Sequence, residues 1–388
     1  MTKSVVYFGS PRQSRLEASE SLPAKLDLIL DRLHLRDRVK GELVAIKMHT
    51  GNNIGYSTLH PVFVRKVVRA VIEGGGKPFV ADVSWDVAGA EGRGYTAEVL
   101  GCPVYPAAGP NDRYFYAHHH PFKNIQDWHE AGWIEDASFL VNFAHAKGHP
   151  SCSYGGAFKN LALGCMTGET RSAMHDSMHF DPYWFAEKCP DPVVRKQIIA
   201  VCPHAAIVED KHDPNQLHLH PEECNQCGRC LEIAPAGSLE IRPDTFHAFQ
   251  EACAISTSIT LSTFAPGKAV HVVVANQITP VCDCFGFTGM AVMRDAGVFG
   301  SDDIVAVDTA VLDATASCPI ITENVPTTLE VTPGSGHPLS WLHGPYKDPY
   351  LVTRYGQSLG LGTPEYELVD VLPVEERAFA KATYISAN

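Results

Sequence analysis

Three cysteines stand at three-residue intervals in the run Cys224-Asn-Gln-Cys227-Gly-Arg-Cys230. This is the spacing with which bacterial ferredoxins hold an iron-sulfur cluster, in the pattern C-x2-C-x2-C-x3-C-P. The fourth cysteine of that pattern is missing, because Ala234 precedes Pro235 at the position where it belongs. The run alone therefore supplies one ligand fewer than a 4Fe-4S cluster needs.

The missing ligand is predicted upstream of this run. In ferredoxins with two clusters, the fourth cysteine of each run binds the cluster of the other run. The dipeptide Cys202-Pro203 matches Ala234-Pro235. Counting back from Cys202 with the spacing of the downstream run gives the three positions at which an upstream run would have carried its thiols. These positions hold Pro192, Arg195 and Ile198. We predict a ferredoxin-like module that retains one 4Fe-4S cluster, with the ligands Cys202, Cys224, Cys227 and Cys230.

Three other interpretations of these cysteines are open. Thiols that merely pack in an apolar core do not need such close spacing. Zinc accepts four cysteines, but its usual C-x2-C pairs do not predict three evenly spaced thiols. A catalytic cluster on three thiols with one open iron is the third alternative, and it requires Cys202 to lie elsewhere.

A second pair of thiols, Cys282 and Cys284, follows a predicted strand. Side chains two residues apart in extended chain point the same way, so the pair could hold one metal or cluster. Small buried residues at the end of a strand are the alternative, although soft thiolates favour an iron-sulfur site. Cys165 stands at the end of a predicted helix and could join this pair. The candidate ligands of a second cluster are therefore Cys165, Cys282 and Cys284.

A glycine-rich turn, HAKGHPSCSYGGAFKN, leads from a predicted strand into a predicted helix, and Lys47 and His49 follow another strand in the same way. Open α/β sheets bind ligands beyond the carboxyl ends of their strands, and a helix N-terminus favours an anion. Histidines can also move protons near neutral pH, although a structural hydrogen bond is their alternative role. We therefore expect a small anionic substrate, with the candidate catalytic residues Lys47, His49, His149 and Lys159.

The elements that would position these residues alternate between apolar runs and amphipathic stretches, which is typical of a doubly wound, mainly parallel α/β sheet. Strands are predicted at 4–8, 43–48, 78–83, 139–144, 270–275 and, at one edge, 366–369. Helices are predicted at 22–35, 61–73, 154–163 and 245–263, with a strand-to-helix passage at 304–313. The predicted divisions are an α/β domain at 1–180 and 243–325, a ferredoxin-like insert at 181–242, and a C-terminal wrapping segment at 326–388.

Composition narrows the class of protein. The 388 residues carry a formal net charge of −13 without a basic run, which argues against a nucleic-acid partner. The N-terminal apolar patch is too short for a signal peptide, and no stretch approaches the about 20 apolar residues of a membrane span. We expect a cytoplasmic protein whose 12 cysteines stay reduced or bind metal, with no membrane partner.

Four blocks carry a resemblance to a known family: VAIKMHTGN, FAHAKGHPSCSYGGAFKNLALGC, ITPVCDCFGF and GVFGSDDIVAVDTAVLD. In this order around a ferredoxin-like insert, over residues 40–315, they resemble the domain-of-unknown-function 362 family of iron-sulfur proteins. The resemblance implies iron-sulfur redox chemistry, although family members usually carry two complete cluster runs. The spacing of His149, Gly155, Gly156 and Lys159 is also similar to that of the lactate-racemase family, which would imply a substrate or organometallic cofactor at this turn.

These features predict an iron-sulfur oxidoreductase. Its cluster would take an electron from a donor such as ferredoxin and pass it to a small anionic substrate, or to a second redox centre, at the α/β crevice. One alternative is a non-catalytic electron carrier or assembly partner. Another is a metal-dependent isomerase or lyase, with the metal at the turn that carries His149 and Lys159.

Overall fold

The computed structural model describes residues 3–375. The strands of that part are β1 (Ser4–Gly9), β2 (Leu43–Lys47), β3 (Lys77–Asp82), β4 (Val104–Pro106), β5 (Phe115–Phe122), β6 (Ile125–Ala131), β7 (Phe139–His145), β8 (Lys147–His149), β9 (Ser153–Gly155), β10 (Ile207–Glu209), β11 (Leu217–Leu219), β12 (Ala269–Ala275), β13 (Gly297–Ser301) and β14 (Tyr366–Asp370). The predicted C-terminal segment extends to 388, so its last part, 376–388, lies outside the described residues.

Eight of these strands form one central sheet, in the order β14-β1-β13-β12-β7-β2-β3-β4. Strand β13 runs antiparallel to both of its neighbours, and the other neighbouring pairs are parallel. Shorter antiparallel pairs are formed by β5 with β6, β8 with β9, and β10 with β11. The protein is therefore a mixed α/β protein with a mostly parallel sheet, and β14 is the predicted edge strand.

The helices of the described part are α1 (Leu22–Arg32), α2 (Leu35–Arg38), α3 (Pro61–Glu73), α4 (Ser84–Ala88), α5 (Ala97–Leu100), α6 (Gly132–Glu135), α7 (Ala157–Gly164), α8 (Gly168–Asp176), α9 (Pro192–Ala200), α10 (Arg229–Ile233), α11 (Pro243–Ser262), α12 (Ile304–Ala316), α13 (Ser340–His343) and α14 (Leu351–Ser358). None of the helices between residues 3 and 375 combines the length and apolar character that a membrane span requires.

Two apolar cores lie on opposite faces of the sheet. Val44 and Ile46 of β2 enter the core formed with α1 and α3, whereas Ala45 enters the core formed with α7, α11 and α12. Successive side chains of a strand point to opposite faces, so a continuous apolar run is what a strand buried on both faces requires. This arrangement brings the carboxyl ends of β2, β3, β7 and β12 to one edge.

One predicted element is wrong in part. Residues 304–313 are helical throughout, within α12, and the strand ahead of them is β13. The helix is apolar on nearly all sides because it is buried, and a short buried helix cannot be distinguished from a strand by periodicity. Asp303 begins it, since its carboxylate accepts the backbone N–H of Ala306 at 2.9 Å.

The cysteine-rich segment has a separate apolar core. It contains α9, the β10–β11 hairpin and α10, and its buried residues include Ile198, Cys224 and Cys230. Ile198 and Arg195 occupy two of the positions at which the upstream run would have carried thiols. Arg195 donates to the backbone oxygen of Cys189 at 2.9 Å. Ordinary core packing and hydrogen bonds therefore fill the positions at which an upstream cluster run would have carried thiols.

The N-terminus of α7 is capped by a carboxylate from α12. Asp308 accepts the backbone N–H groups of Ala157 and Phe158 at 2.8 and 2.9 Å, and the Tyr154 hydroxyl at 3.0 Å. Free N–H groups at a helix N-terminus attract an anion, and here a side chain of the protein satisfies two of them. Asp308, rather than a substrate anion, accepts these two N–H groups in this structure.

A buried carboxyl in β6 should make stability depend on pH. Both oxygens of Glu130 are buried without a hydrogen-bond partner among the described residues, and His118 Nε2 lies 3.4 Å from one of them. Burial, with nearby Glu135, raises the pKa of Glu130 to about 8. In the folded protein Glu130 keeps its proton up to a pH of about 8, whereas in the unfolded chain it loses the proton above the ordinary pKa of 4.5. The free energy of unfolding should therefore fall as the pH rises from 4.5 to about 8. Glu130→Gln should remove about 2 to 4 kcal/mol of that fall.

The measurement is urea unfolding of Glu130→Gln and of the unchanged protein at several pH values between 5 and 8. An exposed residue, Glu98, provides the matched control Glu98→Gln, whose pH profile should follow that of the unchanged protein. Equal pH profiles for Glu130→Gln and the unchanged protein would show that Glu130 is ionised at neutral pH in the fold.

Candidate functional site: a cavity at the carboxyl edge of the sheet

A cavity of about 400 Å³ lies beyond the carboxyl ends of β2, β3 and β7. This volume is within the range of small-molecule sites, and the position is where open α/β sheets bind ligands. All four predicted catalytic residues line it, together with the predicted thiol pair. These residues are Lys47, His49, His149, Lys159, Cys282 and Cys284. The structure thus brings together residues that are far apart in the sequence.

Lys47 is held rigidly at the end of β2. Its ammonium is 1% exposed and lies 3.0 Å from the Asp82 carboxylate, 2.9 Å from the backbone oxygen of Met48 and 3.0 Å from the Asn160 side-chain oxygen. A side chain at Gly164 would collide with Lys47, so a glycine is needed at this close approach. With its donors satisfied by protein groups, Lys47 is suited to fixing Asp82 and Asn160 rather than to binding a substrate.

His49 lies between two carboxylates, one from β3 and one from α4. Its Nδ1 is 3.0 Å from Asp82 and 3.4 Å from Asp86. Burial opposes the charged imidazolium, but Asp82 and Cys282 outweigh it and raise the pKa of His49 to about 10. Burial and the neighbouring Asp82 raise the pKa of Asp86 to about 7, and neither of its oxygens has a hydrogen-bond partner among the described residues. Asp86 can therefore gain or lose a proton at neutral pH.

Lys159 of α7 contacts both thiols of the pair. Its Nζ lies 3.2 Å from Cys282 Sγ and 3.8 Å from Cys284 Sγ. A hydrogen bond from Cys284, together with Lys159 and His49, holds the pKa of Cys282 well below its usual range despite burial. The same hydrogen bond, with burial, raises the pKa of Cys284. Negative charge is therefore favoured on Cys282 over Cys284.

Two neutral imidazoles line another part of the cavity. Burial, with the nearby Lys159, lowers the pKa of His149 well below its usual range and that of His175 to about 4. The backbone N–H of Ser151 donates to His149 Nδ1 at 3.2 Å, so Nε2 carries the proton of the neutral ring. His149 is therefore a hydrogen-bond donor, and the nearby ring of Phe249 packs against both histidines.

Arg171 of α8 provides a cation that the sequence did not reveal. Its guanidinium stacks on Trp85 at 4.2 Å, and its Nε and one terminal nitrogen are buried without a hydrogen-bond partner in the described part of the chain. A guanidinium presents paired N–H donors that match a carboxylate. Since Arg171 lines the cavity, it is the group best suited to bind an anion there.

Asp82, Asp86 and Arg171 were not among the predicted site residues. Asp82 ends the predicted strand PFVAD, so the rule that selected Lys47 would also have selected it. Asp86 lies shortly after it, in α4. Arg171 belongs to α8, whose sequence does not indicate that it lies at a strand end. The packing of α8 against β6 and α11 brings its guanidinium to the cavity.

Cys165 does not join the thiol pair. It is fully buried at the end of α7 and is not among the residues that line the cavity. Burial raises its pKa, and the charged groups that act on it are Lys47, Glu130 and Asp82 rather than the other thiols. The structure therefore brings together two of the three ligands named for a second cluster.

The four thiols of the cysteine-rich segment line a second, smaller cavity: Cys202, Cys224, Cys227 and Cys230. Burial raises the pKa of Cys230 to about 11, and the other three thiols add to this shift. The backbone N–H of Ala206 donates to Cys202 Sγ at 3.2 Å. His204 also lines this cavity, and its Nε2 is buried without a partner among the described residues.

The linings of the two cavities come close together along the chain. Glu222 lines the larger cavity and Cys224 lines the smaller one, and two residues of chain span at most about 7 Å. Lys347 is fully buried next to Glu222, where it donates to the backbone oxygen of Glu222 at 3.0 Å. Burial lowers the pKa of Lys347 to about 8, against the effect of Cys224.

Comparison with known proteins identifies a family and includes a distant similarity to a solved structure. No curated protein matches the chain. Among solved structures, the lactate racemase apoprotein from Thermoanaerobacterium thermosaccharolyticum aligns with 10% sequence identity and a TM-score of 0.30. The alignment covers 70% of this chain and 51% of the racemase, so the chain spans about half the length of that protein. Residues 44–313, more than half of the chain, match the family described as "Domain of unknown function (DUF362)", and the protein therefore belongs to the DUF362 family.

Proposed function

We propose that this protein is an iron-sulfur oxidoreductase that delivers electrons from a 4Fe-4S cluster in the cysteine-rich segment to a small anionic substrate in the larger cavity. The observation that carries the proposal is the nearness of the two linings along the chain, since Glu222 of the larger cavity and Cys224 of the thiol cavity are two residues apart. A donor such as ferredoxin could approach from outside, because Cys227 is exposed, while Cys224 is buried.

The four thiols fit a cluster better than a single ion. Tetrahedral zinc with bonds of about 2.3 Å would draw its sulfurs to about 3.8 Å from one another. Among residues 3–375, no cysteine belongs to a group of three ligand atoms that all lie within 4.8 Å of one another. When bound by Cys202, Cys224, Cys227 and Cys230, a 4Fe-4S cluster would supply one electron at a time.

The cavity residues have separate roles in this proposal. Arg171 binds the carboxylate of the substrate through its unpaired N–H groups, and His149 donates a hydrogen bond from Nε2. Asp86, whose pKa is about 7, supplies the proton that accompanies reduction. Lys47 holds Asp82 in place, and Asp82 in turn fixes the orientation of His49.

Iron analysis tests the proposal directly. Protein purified without oxygen should contain about four iron and about four sulfide per chain, and the reduced protein should give the paramagnetic resonance signal of one 4Fe-4S cluster. About eight iron would indicate a second cluster. Stoichiometric zinc without sulfide, or no metal after anaerobic reconstitution, would contradict the proposal.

A second candidate function is a metal-dependent isomerase or lyase. It is favoured by one observation, since ligand atoms of His49, Asp82 and Asp86 lie within 4.8 Å of one another. The Lys47 ammonium, 3.0 Å from Asp82, already neutralises part of this group and weakens its attraction for a cation. The same metal analysis distinguishes the two functions, because this candidate requires a divalent ion whose binding is lost in Asp86→Asn and retained in Cys227→Ser.

A further inference from the structure

We propose that Cys282 and Cys284 form a redox-active dithiol that closes to a disulfide inside the larger cavity while it reduces a small disulfide that carries a carboxylate. This inference rests on the proposed function for the source of electrons, and it identifies the second redox centre and the class of substrate. Cys282 is the attacking thiolate, and Cys284 is the thiol that resolves the mixed disulfide.

The position of Lys159 favours a dithiol over a metal site. Its ammonium lies within 4 Å of both sulfurs, at 3.2 and 3.8 Å, so an ion that bridged the two thiols would lie close to this positive charge. Cys165, the third ligand that a cluster would need, lies away from the cavity lining. A fixed cation beside the pair stabilises a thiolate and repels a metal ion.

The two thiols are suited to different steps of thiol–disulfide exchange. The Lys159 ammonium lies closer to Cys282 Sγ, at 3.2 Å, than to Cys284 Sγ, at 3.8 Å, and a nearby cation favours the thiolate that attacks a disulfide. Cys284 is more exposed than Cys282, so it can follow as the resolving group. A resolving cysteine beside a thiolate is the usual arrangement of reversible thiol redox sites.

The backbone allows the pair to close. Cys282 caps the short 3-10 helix Asp283–Phe285, and the backbone N–H of Cys284 points to Cys282 Sγ at 3.5 Å. A disulfide needs Cα atoms about 4.4 to 6.8 Å apart, which residues two apart in a tight turn can satisfy. The segment is held in place by Asp283, which accepts the Ser57 hydroxyl at 2.9 Å and lies 3.5 Å from the Lys147 ammonium.

The exchange balances without a further reagent. The Cys282 thiolate attacks one sulfur of the substrate disulfide, forms a mixed disulfide and releases the other half as a thiolate, which takes the proton of Cys284. The Cys284 sulfur then attacks Cys282 Sγ and releases the first half as a thiolate. The substrate gains two electrons and the pair loses two. The new disulfide reopens to one thiolate and one thiol when it receives two electrons and one proton, for which the cluster proposed above is the source.

The cavity selects the charge of the substrate. Arg171 presents unpaired N–H donors to the same space, and Lys159 and His49 add positive charge beside the thiols. A cavity of about 400 Å³ admits a small molecule rather than a protein disulfide. The expected substrate is therefore a low-molecular-weight disulfide with a carboxylate near its sulfur atoms.

The test uses the full chain equilibrated in dithiothreitol buffers of stepped potential at pH 7, then quenched with N-ethylmaleimide and analysed by peptide mass spectrometry. We expect the peptide with Cys282 and Cys284 to lose both labels in one two-electron step and to become lighter by two hydrogens. Cys282 should react with iodoacetamide at least about tenfold faster than the buried Cys102, which lies outside the cavity. Cys102→Ser is the matched control and should leave the couple unchanged.

Two probes and two variants distinguish the steps. The unchanged protein should react faster with 3,3′-dithiodipropionate than with neutral 2-hydroxyethyl disulfide, by about tenfold, and Arg171→Met should abolish this preference. Cys284→Ser should retain the probe as a mixed disulfide on Cys282, and Cys282→Ser should not react.

Three results would overturn the inference: no disulfide between Cys282 and Cys284 at any potential, equal alkylation of Cys282 and Cys102, or a loss of iron in Cys282→Ser. The first two measurements do not need the cluster, since dithiothreitol supplies the electrons. A protein without iron but with a working dithiol would therefore contradict the proposed function alone.

Discussion

Cys202→Ser should remove the iron-sulfur cluster as completely as Cys227→Ser, with iron falling from about four to less than one per chain. A serine hydroxyl stays protonated near neutral pH and does not replace a thiolate ligand. Cys202 comes from the segment that follows α9, outside the compact run of the other three thiols, yet it lines the same cavity. Iron and sulfide analysis after anaerobic reconstitution measures the effect, together with the visible absorption of the cluster.

The same segment offers a matched control. Cys189 is 1% exposed in the same apolar core, but it does not line the thiol cavity. Cys189→Ser should therefore keep all of its iron while it tests whether loss of a buried thiol unfolds the segment. A Cys202→Ser protein with an intact four-iron signal would refute the ligand assignment and leave the cluster to three thiols.

The central sheet could be predicted because its strands are buried on both faces. Runs such as LVAIK in β2 and VHVVVA in β12 have no polar face, and glycine or proline marks their ends. Strand β13, with the sequence GVFGS, was not predicted because its two glycines interrupt the apolar run that indicates a buried strand. Strand β5 carries the run His118–His120, which resembles a polar loop, since its residues are exposed and pair only with β6.

Only the residues of the site that lie at strand ends could be predicted. Residues at strand ends, such as Lys47 and His49, can be found from the sequence because the sheet fixes where a strand end lies. Arg171 and Glu222 come from segments whose positions depend on how helices and the cysteine-rich segment pack against the sheet. The capping of the α7 N-terminus by Asp308 could not be predicted for the same reason, because it depends on how α12, which is far away in the sequence, packs against α7.

The nearness of the two cavities along the chain is compatible with an enzyme and with a simple electron carrier. A carrier needs only the thiol cavity and an outer face, which Cys227 provides. An enzyme also needs the larger cavity, where buried charges are kept at an energetic cost that electron transfer alone does not require. Lys159 lies in the larger cavity and is not among the residues that line the thiol cavity, so its replacement should affect only the enzyme.

Lys159→Met should lower substrate reduction by about 100- to 1000-fold while the cluster remains at about four iron per chain. The ammonium stabilises the Cys282 thiolate from 3.2 Å inside a buried site, where a charge has a larger effect than in water. Methionine keeps the length and apolar packing of the side chain and removes the charge. Turnover is measured with reduced methyl viologen as electron donor and a panel of small anionic acceptors, including 3,3′-dithiodipropionate.

Two comparisons decide what such a loss means. Lys159→Arg keeps the positive charge and should retain most of the turnover, which a purely structural role for the ammonium does not predict. Reduction of cytochrome c by the reduced protein reports electron transfer from the cysteine-rich segment, and it should be the same in Lys159→Met and in the unchanged protein. If Lys159→Met instead slows cytochrome c reduction in proportion to substrate turnover, the larger cavity has no separate catalytic role and the protein is an electron carrier.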